Sequence, residues 1–249
     1  MKRLHFGLSI GFLVVLVLLS GCTSPQKKAF ESVTGKTHVA VTPESRDGEK
    51  RERHRAFNER VKQGNVDLIF IGDSITEGWE KDGKEVWSRY YSNRNAVNLG
   101  IDGDRTQHVL WRLANGNIDN ISPKVAVLMI GTNNHPPRNT PEEVADGIIA
   151  VCKVLRGKLP KTRILLLAIF PRAVVTEPGE MREELARASL MASVVADNKS
   201  IYYLDIGNKF LEPDGTISKE IMPDYLHLSP KGYQIWAEAI EPELVKLMR

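Results

Sequence analysis

The chain has 249 residues, of which 42% are hydrophobic and 26% charged, with 19 glycines and 13 prolines. These ordinary globular values exclude a collagen, a disordered chain and a protein with many membrane spans. The formal net charge is only +3, which indicates no nucleic-acid partner. The two cysteines, Cys22 and Cys152, are too few for a disulfide scaffold or a four-cysteine zinc site.

Residues 1–21 are typical of an export signal. Lys2 and Arg3 precede an apolar run over residues 6–19, which as a helix reaches about 21 Å and falls short of the ~30 Å hydrocarbon core. The run ends in Leu19-Ser20-Gly21-Cys22, which resembles the lipobox of bacterial lipoproteins. We therefore expect an exported protein that a lipid on the cysteine anchors in a membrane. A plain secretory signal with an incidental cysteine is the alternative.

Residues 22–50 are predicted to form a tether, partly ordered on the domain, because they are polar and lack apolar periodicity. Thr23, rather than Asp, follows the cysteine and favours the outer membrane in a cell that has one. Residues 51–249 are predicted to form a single domain. Its first stretch carries Phe57 and Val61 at i and i+4 and indicates a surface helix.

Five short apolar runs predict buried strands. They are rich in Val, Ile and Leu and mostly lack alternation, as expected for parallel strands covered on both faces. Their starts are spaced by about 30 to 40 residues, which suits βαβ units. The runs are Val66–Ile71, Ala96–Leu99, Val125–Ile130, Ile164–Phe170 and Ile201–Ile206.

Helical patterns fill the intervals between these runs. Thr140 offers an N-cap, followed by Pro141 at the first helical position and Glu143 as a capping-box partner. Ser229-Pro230 opens a C-terminal helix in the same way, and further helices are predicted over 106–114 and 180–198. The alternation predicts an α/β domain of three layers, α/β/α, with a five-stranded, mainly parallel sheet. Ligands of such sheets bind beyond the carboxyl ends of the strands.

Chemically useful side chains stand at those strand ends. Ser74 follows the first strand, Gly100 ends the second, Asn133 follows the third, and Asp224 and His227 precede the last helix. A serine nucleophile needs a base, a group that orients the base, and donors aimed at the oxyanion. We therefore assign Ser74 as nucleophile and His227 as base, with Asp224 orienting it from one helical turn away. The Gly100 N–H and the Asn133 side chain are candidate oxyanion donors.

Each of these features alone has an ordinary structural explanation. A Gly-Asp-Ser tripeptide is usually a turn, Gly100 a turn residue and Asn133 a loop-capping amide. His135, at the end of the third strand, is a candidate for lining the pocket. The sequence contains no His-Glu-x-x-His or Cys-x-x-Cys motif, so we expect neither a metal nor another cofactor.

The four elements occur in the order of the four blocks of the SGNH (GDSL-like) hydrolases, which carry Ser, Gly, Asn and His. Ser74, Gly100, Asn133 and His227 match them, and Asp224 matches the family's Asp three residues before the His. The likeness extends over roughly residues 51–247. Longer stretches resemble the subfamily of catalytic subunits of platelet-activating-factor acetylhydrolase IB, over residues 70–75, 98–101, 103–113, 131–135 and 227–233.

This resemblance implies a flavodoxin-like sheet of strand order 2-1-3-4-5 and a serine esterase that acts on short acyl groups. It also implies oxyanion donors from the backbone N–H groups of Ser74 and Gly100 and from the Asn133 side chain. Asp102 stands where that subfamily commonly has Gly, and its carboxylate could repel an anionic head group or reorder the loop. Asp73 and Asp102 join His135 as candidates for lining the pocket.

Three functions remain open on these grounds. The first is an exported, lipid-anchored esterase that removes acetyl or similar acyl groups from a small substrate, favoured to be an acetylated carbohydrate. The alternative is a phospholipid or lysophospholipid esterase. The membrane tether favours this alternative, whereas the low aromatic content (7%) argues against it. The second alternative is a non-catalytic envelope-binding lipoprotein, which has no need for Ser74, Asn133 and His227 together. Nothing in the sequence indicates the oligomeric state.

Overall fold

The computed structural model describes Gly35 and residues 37–135, 138–173 and 179–249. The export signal, Cys22 and about half of the expected tether lie outside these residues, so the assignments made there stay predictions. Within the described ranges, no helix combines the length and apolar character that a membrane crossing requires.

Five parallel strands form one sheet in the order β2-β1-β3-β4-β5, which confirms the flavodoxin-like order. Their apolar side chains are buried on both faces, and this is why the sequence shows runs rather than alternation. The fourth run is longer than its strand because residues 168–170 remain buried beyond the strand's end at Leu167. The strands are β1 Leu68–Gly72, β2 Ala96–Gly100, β3 Val125–Met129, β4 Arg163–Leu167 and β5 Ile201–Leu204.

Helices cover both faces of the sheet and complete the three predicted layers. Four of them pack with alternate strand residues on one face, and the third and the last pack on the other. The helices are α1 Glu49–Lys62, α2 Ser74–Glu77, α3 Lys84–Tyr90, α4 Thr106–Ala114, α5 Pro141–Lys158, α6 Glu180–Ala192 and α7 Pro230–Met248. The first face carries α1, α4, α5 and α6, and the second carries α3 and α7.

The helix boundaries follow local capping. Thr140 Oγ1 accepts the Glu143 N–H at 3.3 Å and Glu143 Oε2 accepts the Thr140 N–H at 3.2 Å, so the capping box of α5 is confirmed. Helix α6 ends six residues earlier than predicted, at Ala192 rather than 198. There Asp197 Oδ1 accepts the N–H groups of three following residues and holds a turn that leads into β5.

Residues 39–47, here called the strap, are a part of the predicted tether that is ordered on the domain. Ala40 and Val41 are buried, at 0% and 2% exposure. The Ala40 carbonyl accepts the Thr106 hydroxyl at 2.8 Å, and the Glu44 N–H donates to the Gln107 carbonyl at 3.1 Å. The buried apolar stretch is too short to show a periodicity, so the sequence pattern did not indicate it. The folded unit therefore begins near residue 39 rather than at 51.

Asp73 links β1 to α2 and does not line an open pocket, contrary to expectation. Its side chain is 0% exposed, and Oδ1 accepts the Ile75 N–H at 3.0 Å as the N-cap of α2. Its other oxygen, Oδ2, is buried with no hydrogen-bond partner among the described residues. Burial raises the pKa of Asp73 to about 7, against the opposing effect of the Ile75 hydrogen bond.

We expect Asp73→Asn to remove a pH-dependent loss of stability. The carboxyl pKa is 3.8 unfolded and about 7 folded, so the folded chain holds this proton more tightly. The free energy of unfolding therefore decreases as pH rises through this interval, by up to about 4 kcal/mol. Asparagine still accepts the Ile75 N–H but does not ionise. Thermal unfolding from pH 4 to pH 8 (about the range set by those two pKa values) should show a smaller decrease in Tm for the variant. Parallel curves for the two proteins would contradict the assignment.

Candidate active site

Ser74, His227 and Asp224 form one hydrogen-bonded chain at the carboxyl edge of the sheet. His227 Nε2 lies 2.9 Å from Ser74 Oγ, and His227 Nδ1 lies 2.7 Å from Asp224 Oδ2. Because an ionised carboxylate only accepts, Nδ1 carries the imidazole proton and Nε2 accepts from the serine hydroxyl. The arrangement can move the serine proton to the imidazole while the oxygen forms a new bond.

A turn, rather than the expected turn of helix, brings Asp224 and His227 together. Asp224 Oδ1 accepts the N–H groups of Leu226 at 3.0 Å and His227 at 2.7 Å. Tyr225 between them has a φ of 62°, in the left-handed region. The spacing of three residues was thus correct for contact, although its predicted geometry was wrong.

The electrostatics keep Asp224 ionised. Burial acts to raise its pKa, but hydrogen bonds from the His227 ring and from the N–H groups of His227 and Leu226 hold the pKa below its usual value. Both side chains remain well exposed, at 56% for Asp224 and 44% for His227. The carboxylate can therefore stabilise an imidazolium that forms beside it.

Asn133 lies in the short helical segment Thr132–Asn134 that follows β3. Its Nδ2 donates to the Asp104 carbonyl at 2.9 Å, and an amide NH₂ group retains a second N–H beyond that bond. The neighbouring Asn134 fixes the segment, because its Oδ1 accepts the Thr106 N–H at 2.9 Å and its Nδ2 donates to Gln107 Oε1 at 3.1 Å.

Gly100 does not present a free donor, which corrects the prediction made for its N–H. That N–H donates to Asn98 Oδ1 at 2.9 Å. A Cβ at this position would lie 2.6 Å from the Thr76 carbonyl carbon, so glycine is required here by the close packing of β2 against α2.

Gly103, three residues further on, has the features expected of Gly100. Its φ of 70° is left-handed and favours glycine, and it lines a cleft together with Asn133. No hydrogen bond from its N–H occurs within the described part of the chain. The sequence offered a signal for it, a glycine inside the polar loop after the second strand, but the block match drew attention to Gly100.

A buried ion pair holds this loop in place. Arg112 Nε donates to Asp104 Oδ2 at 2.8 Å, and the two side chains are 2% and 0% exposed. Arg112 also donates to Asn117 Oδ1 at 2.8 Å and to the Gly72 carbonyl at 3.3 Å. Because the Asp104 carbonyl accepts from Asn133, the pair connects the end of β1 to the candidate oxyanion donor.

The remaining candidates for the pocket have other surroundings. Asp102 is exposed and forms an ion pair with Lys50, whose hydrogen bond lowers the pKa of that carboxyl. His135 caps the segment Thr132–Asn134 and is not among the residues that line the cleft beside Asn133. Across the described ranges, no group of three or more His, Cys, Asp or Glu side chains is arranged to hold a metal ion.

Arg172, in the loop after β4, was missed in the sequence. Its Nη1 donates to the carbonyl and the hydroxyl of Thr132, each at 3.3 Å. Burial lowers its pKa, while the nearby charges of Asp73 and Asp224 act to raise it. An arginine directly beyond the carboxyl end of β4 is the signal that could have drawn attention to it.

Comparison with known proteins agrees with this geometry. Residues 70–235 match the model of the GDSL-like Lipase/Acylhydrolase family. Platelet-activating factor acetylhydrolase IB subunit alpha1 of Bos taurus is 37% identical over 203 residues, which cover 81% of this chain and 85% of that protein. The alpha2 subunit of Rattus norvegicus is 36% identical over 197 residues, which cover 79% and 83%.

Solved structures share the fold at lower identity. A GDSL-like lipase from Bacteroides thetaiotaomicron superposes with a TM-score of 0.60 at 18% identity, covering 78% of this chain and 97% of that one. An acetyl-xylooligosaccharide esterase from Geobacillus stearmophilus, in a mutant form, superposes with a TM-score of 0.56 at 19% identity, covering 73% and 94%. The chain therefore belongs to the GDSL-like lipase/acylhydrolase family and is a hydrolase of ester bonds.

Proposed function

We propose that this chain is an exported serine esterase that removes acetyl or similarly short acyl groups from carbohydrates. The observation that carries the proposal is the chain of hydrogen bonds from Ser74 through His227 to Asp224, at 2.9 Å and 2.7 Å. Ser74 Oγ attacks the ester carbonyl while His227 Nε2 takes its proton. The same proton then passes to the leaving alcohol, and water repeats the sequence on the acyl-enzyme to release the carboxylic acid.

Three donors would stabilise the oxyanion that forms in each attack: the N–H groups of Ser74 and Gly103 and the remaining amide N–H of Asn133. Gly103 takes the place expected for Gly100, because the Gly100 N–H is engaged by Asn98 whereas Gly103 lies beside Asn133 in the cleft. The buried Arg112–Asp104 pair fixes this loop before the substrate arrives, which is the preorganisation that such donors need.

A carbohydrate acceptor is supported by the surroundings of Asn133. The side chains that line the cleft there are charged or polar, which suits a molecule rich in hydroxyl groups. The structural neighbour from Geobacillus stearmophilus is described as an acetyl-xylooligosaccharide esterase. The predicted export signal further favours an extracellular substrate.

A phospholipid ester is the second candidate substrate. It is favoured by the identity of 36–37% to subunits of platelet-activating factor acetylhydrolase IB over about four-fifths of the chain. The two candidates differ in the alcohol that leaves, so they are separated by substrate comparison rather than by the residues that attack the ester.

We further propose that Cys22 carries the lipid anchor. Metabolic labelling with radioactive palmitate should mark the wild-type chain and not a Cys22→Ser variant, because serine has no thiol to carry the acyl group. Immunoprecipitation followed by autoradiography measures this. Equal label on the two proteins would contradict lipidation at this residue.

Ser74→Ala should abolish hydrolysis of 4-nitrophenyl acetate, with a decrease in kcat of about 10⁴-fold or more, because the nucleophile is removed. Ser88→Ala is the matched control, since Ser88 is exposed on α3, and it should retain full activity. Circular dichroism should show both variants folded. Most activity remaining in the folded Ser74 variant would disprove its role.

Release of the carboxylic acid, compared with the Ser74 variant, decides between the two substrate classes. Acetate is measured for acetylated sugars, acetylated polysaccharides and acetyl phospholipids, and free fatty acid is measured for long-chain phospholipids. We expect the acetylated sugars to be turned over fastest. Faster turnover of phospholipids would favour the second candidate.

Asn133→Ala should lower kcat by about 10²–10³-fold with little change in KM, because it removes a donor to the transition state. The exposed Asn93 offers a control, since Asn93→Ala removes an amide remote from the site. Equal Tm values for the two variants would show that the loop is intact. A change in KM alone would instead indicate a role in ground-state binding.

A further inference from the structure

The cleft beside Asn133 is lined by charged and polar side chains, in which three arginines outnumber the two carboxylates, Glu44 and Asp47. It has a volume of about 430 Å³, and the strap forms one of its walls. Three guanidinium groups reach it, those of Arg46, Arg105 and Arg138, together with the ring of His108. No residue lining it has an aliphatic or aromatic hydrocarbon side chain, so it offers nothing to a long acyl chain.

Three arginines line the cleft against two carboxylates, Glu44 and Asp47, and Asp47 also lies 3.6 Å from Arg51. Asp104 accepts from Arg46 at 3.2 Å and from Arg112 at 2.8 Å, so one carboxylate serves two guanidinium groups. Glu44, itself 52% exposed, lies 3.6 Å from Arg105. Arg138 forms no ion pair with any residue of the described ranges. The cleft therefore carries a surplus of positive charge.

His108 adds a neutral hydrogen-bond donor to the cleft, and the nearby positive charges affect its pKa. Its Nδ1 accepts the Arg105 N–H at 3.0 Å, so Nε2 carries the proton. Burial, together with the smaller effects of the charges of Arg46, Arg105 and Arg112, lowers the pKa of His108 to about 3. This occurs although Glu44 and Asp104 lie within 4 Å of the ring. The local field is thus positive.

The cleft is held in a fixed shape. The strap is fastened to α4 through Ala40 and Glu44, and Arg105 is the N-cap of the same helix. Arg46 is oriented by Asp104, which the buried Arg112 fixes in turn. A ligand that enters therefore meets guanidinium groups that are already placed, which reduces the entropy lost on binding.

We propose that this cleft binds an anionic group on the alcohol part of the ester, so that the preferred substrate is an acylated acidic sugar. The inference rests on the proposed esterase function. Asn133 and Gly103 line the cleft and are also the candidate oxyanion donors, so a group bound there is joined to the ester carbonyl by only a few bonds. Arginine pairs with carboxylate and phosphate through parallel hydrogen bonds, which gives such a site its selectivity.

The test compares two esters that differ only in charge, a mono-acetylated methyl galacturonoside and the corresponding methyl galactoside. We expect kcat/KM to be about tenfold higher for the acidic ester, equivalent to ~1.4 kcal/mol. The preference should weaken as salt is added, because a half-open cleft is partly screened. Equal values for the two sugars would overturn the proposal.

Variants locate the preference in the cleft. The double variant with Arg105→Gln and Arg138→Gln should reduce the ratio of the two kcat/KM values to about one, since a glutamine cannot pair with an anion as a guanidinium does. Arg89→Gln makes the same kind of substitution once, at an exposed site on α3, and should keep the wild-type ratio. A ratio that survives in the double variant would contradict the assignment.

Two further substrates separate the ways in which the proposal can fail. If 4-nitrophenyl acetate is not hydrolysed by the wild-type chain, the esterase function itself is wrong. If it is hydrolysed and the sugars show no difference, only the cleft assignment fails. A preference for acetyl glycerophosphate over both sugars would assign the arginines to a lipid phosphate and overturn the acidic sugar.

Discussion

The buried pairing of Arg112 with Asp104 is the interaction on which the site depends. A guanidinium group with 2% exposure is tolerated only when its donors are matched, and here Asp104, Asn117 and the Gly72 carbonyl match them. This requirement ties three separate chain segments together: the end of β1, the loop after β2 and the end of α4. The Asn133 side chain then donates a hydrogen bond to the Asp104 carbonyl. Because the buried Arg112 charge must be paired, Asp104 is held in place, and this in turn fixes the position of the Asn133 amide.

Each reacting group is positioned by a different local device. Ser74 begins a helix whose cap is the buried Asp73, and His227 is aimed by a turn that Asp224 closes. The amide of Asn133 is positioned by the Arg112–Asp104 ion pair, which acts through the Asp104 carbonyl. These devices share no side chain. The pairing of β1 with β3 through five residues each brings the loops of Ser74 and Asn133 next to each other. The parallel sheet is therefore the frame and the loops supply the chemistry.

The sequence predicts those features of the molecule that depend on a periodic pattern or on residues close together in the chain. Apolar runs predicted all five strands, the capping box predicted α5, and the motifs placed the serine and the histidine in the correct loops. It could not predict which N–H groups are already engaged. Gly100 and Gly103 look alike in sequence, and only the structure shows that the Gly100 N–H is bound by the Asn98 side chain while Gly103 has a left-handed φ. The sequence did not show which part of the tether is ordered for a related reason, because the Ala40 carbonyl meets Thr106, which lies 66 residues away.

The strap also gives the molecule a geometrical limit. It forms a wall of the cleft. If Cys22 is fixed in a bilayer, the chain between it and Val39 spans at most about 60 Å when fully extended. The cleft could then reach only the part of the cell envelope that lies close to that membrane. Such a protein would act on polymers that lie close to its own membrane. For a freely diffusing substrate, anchoring the enzyme in this way would bring no benefit.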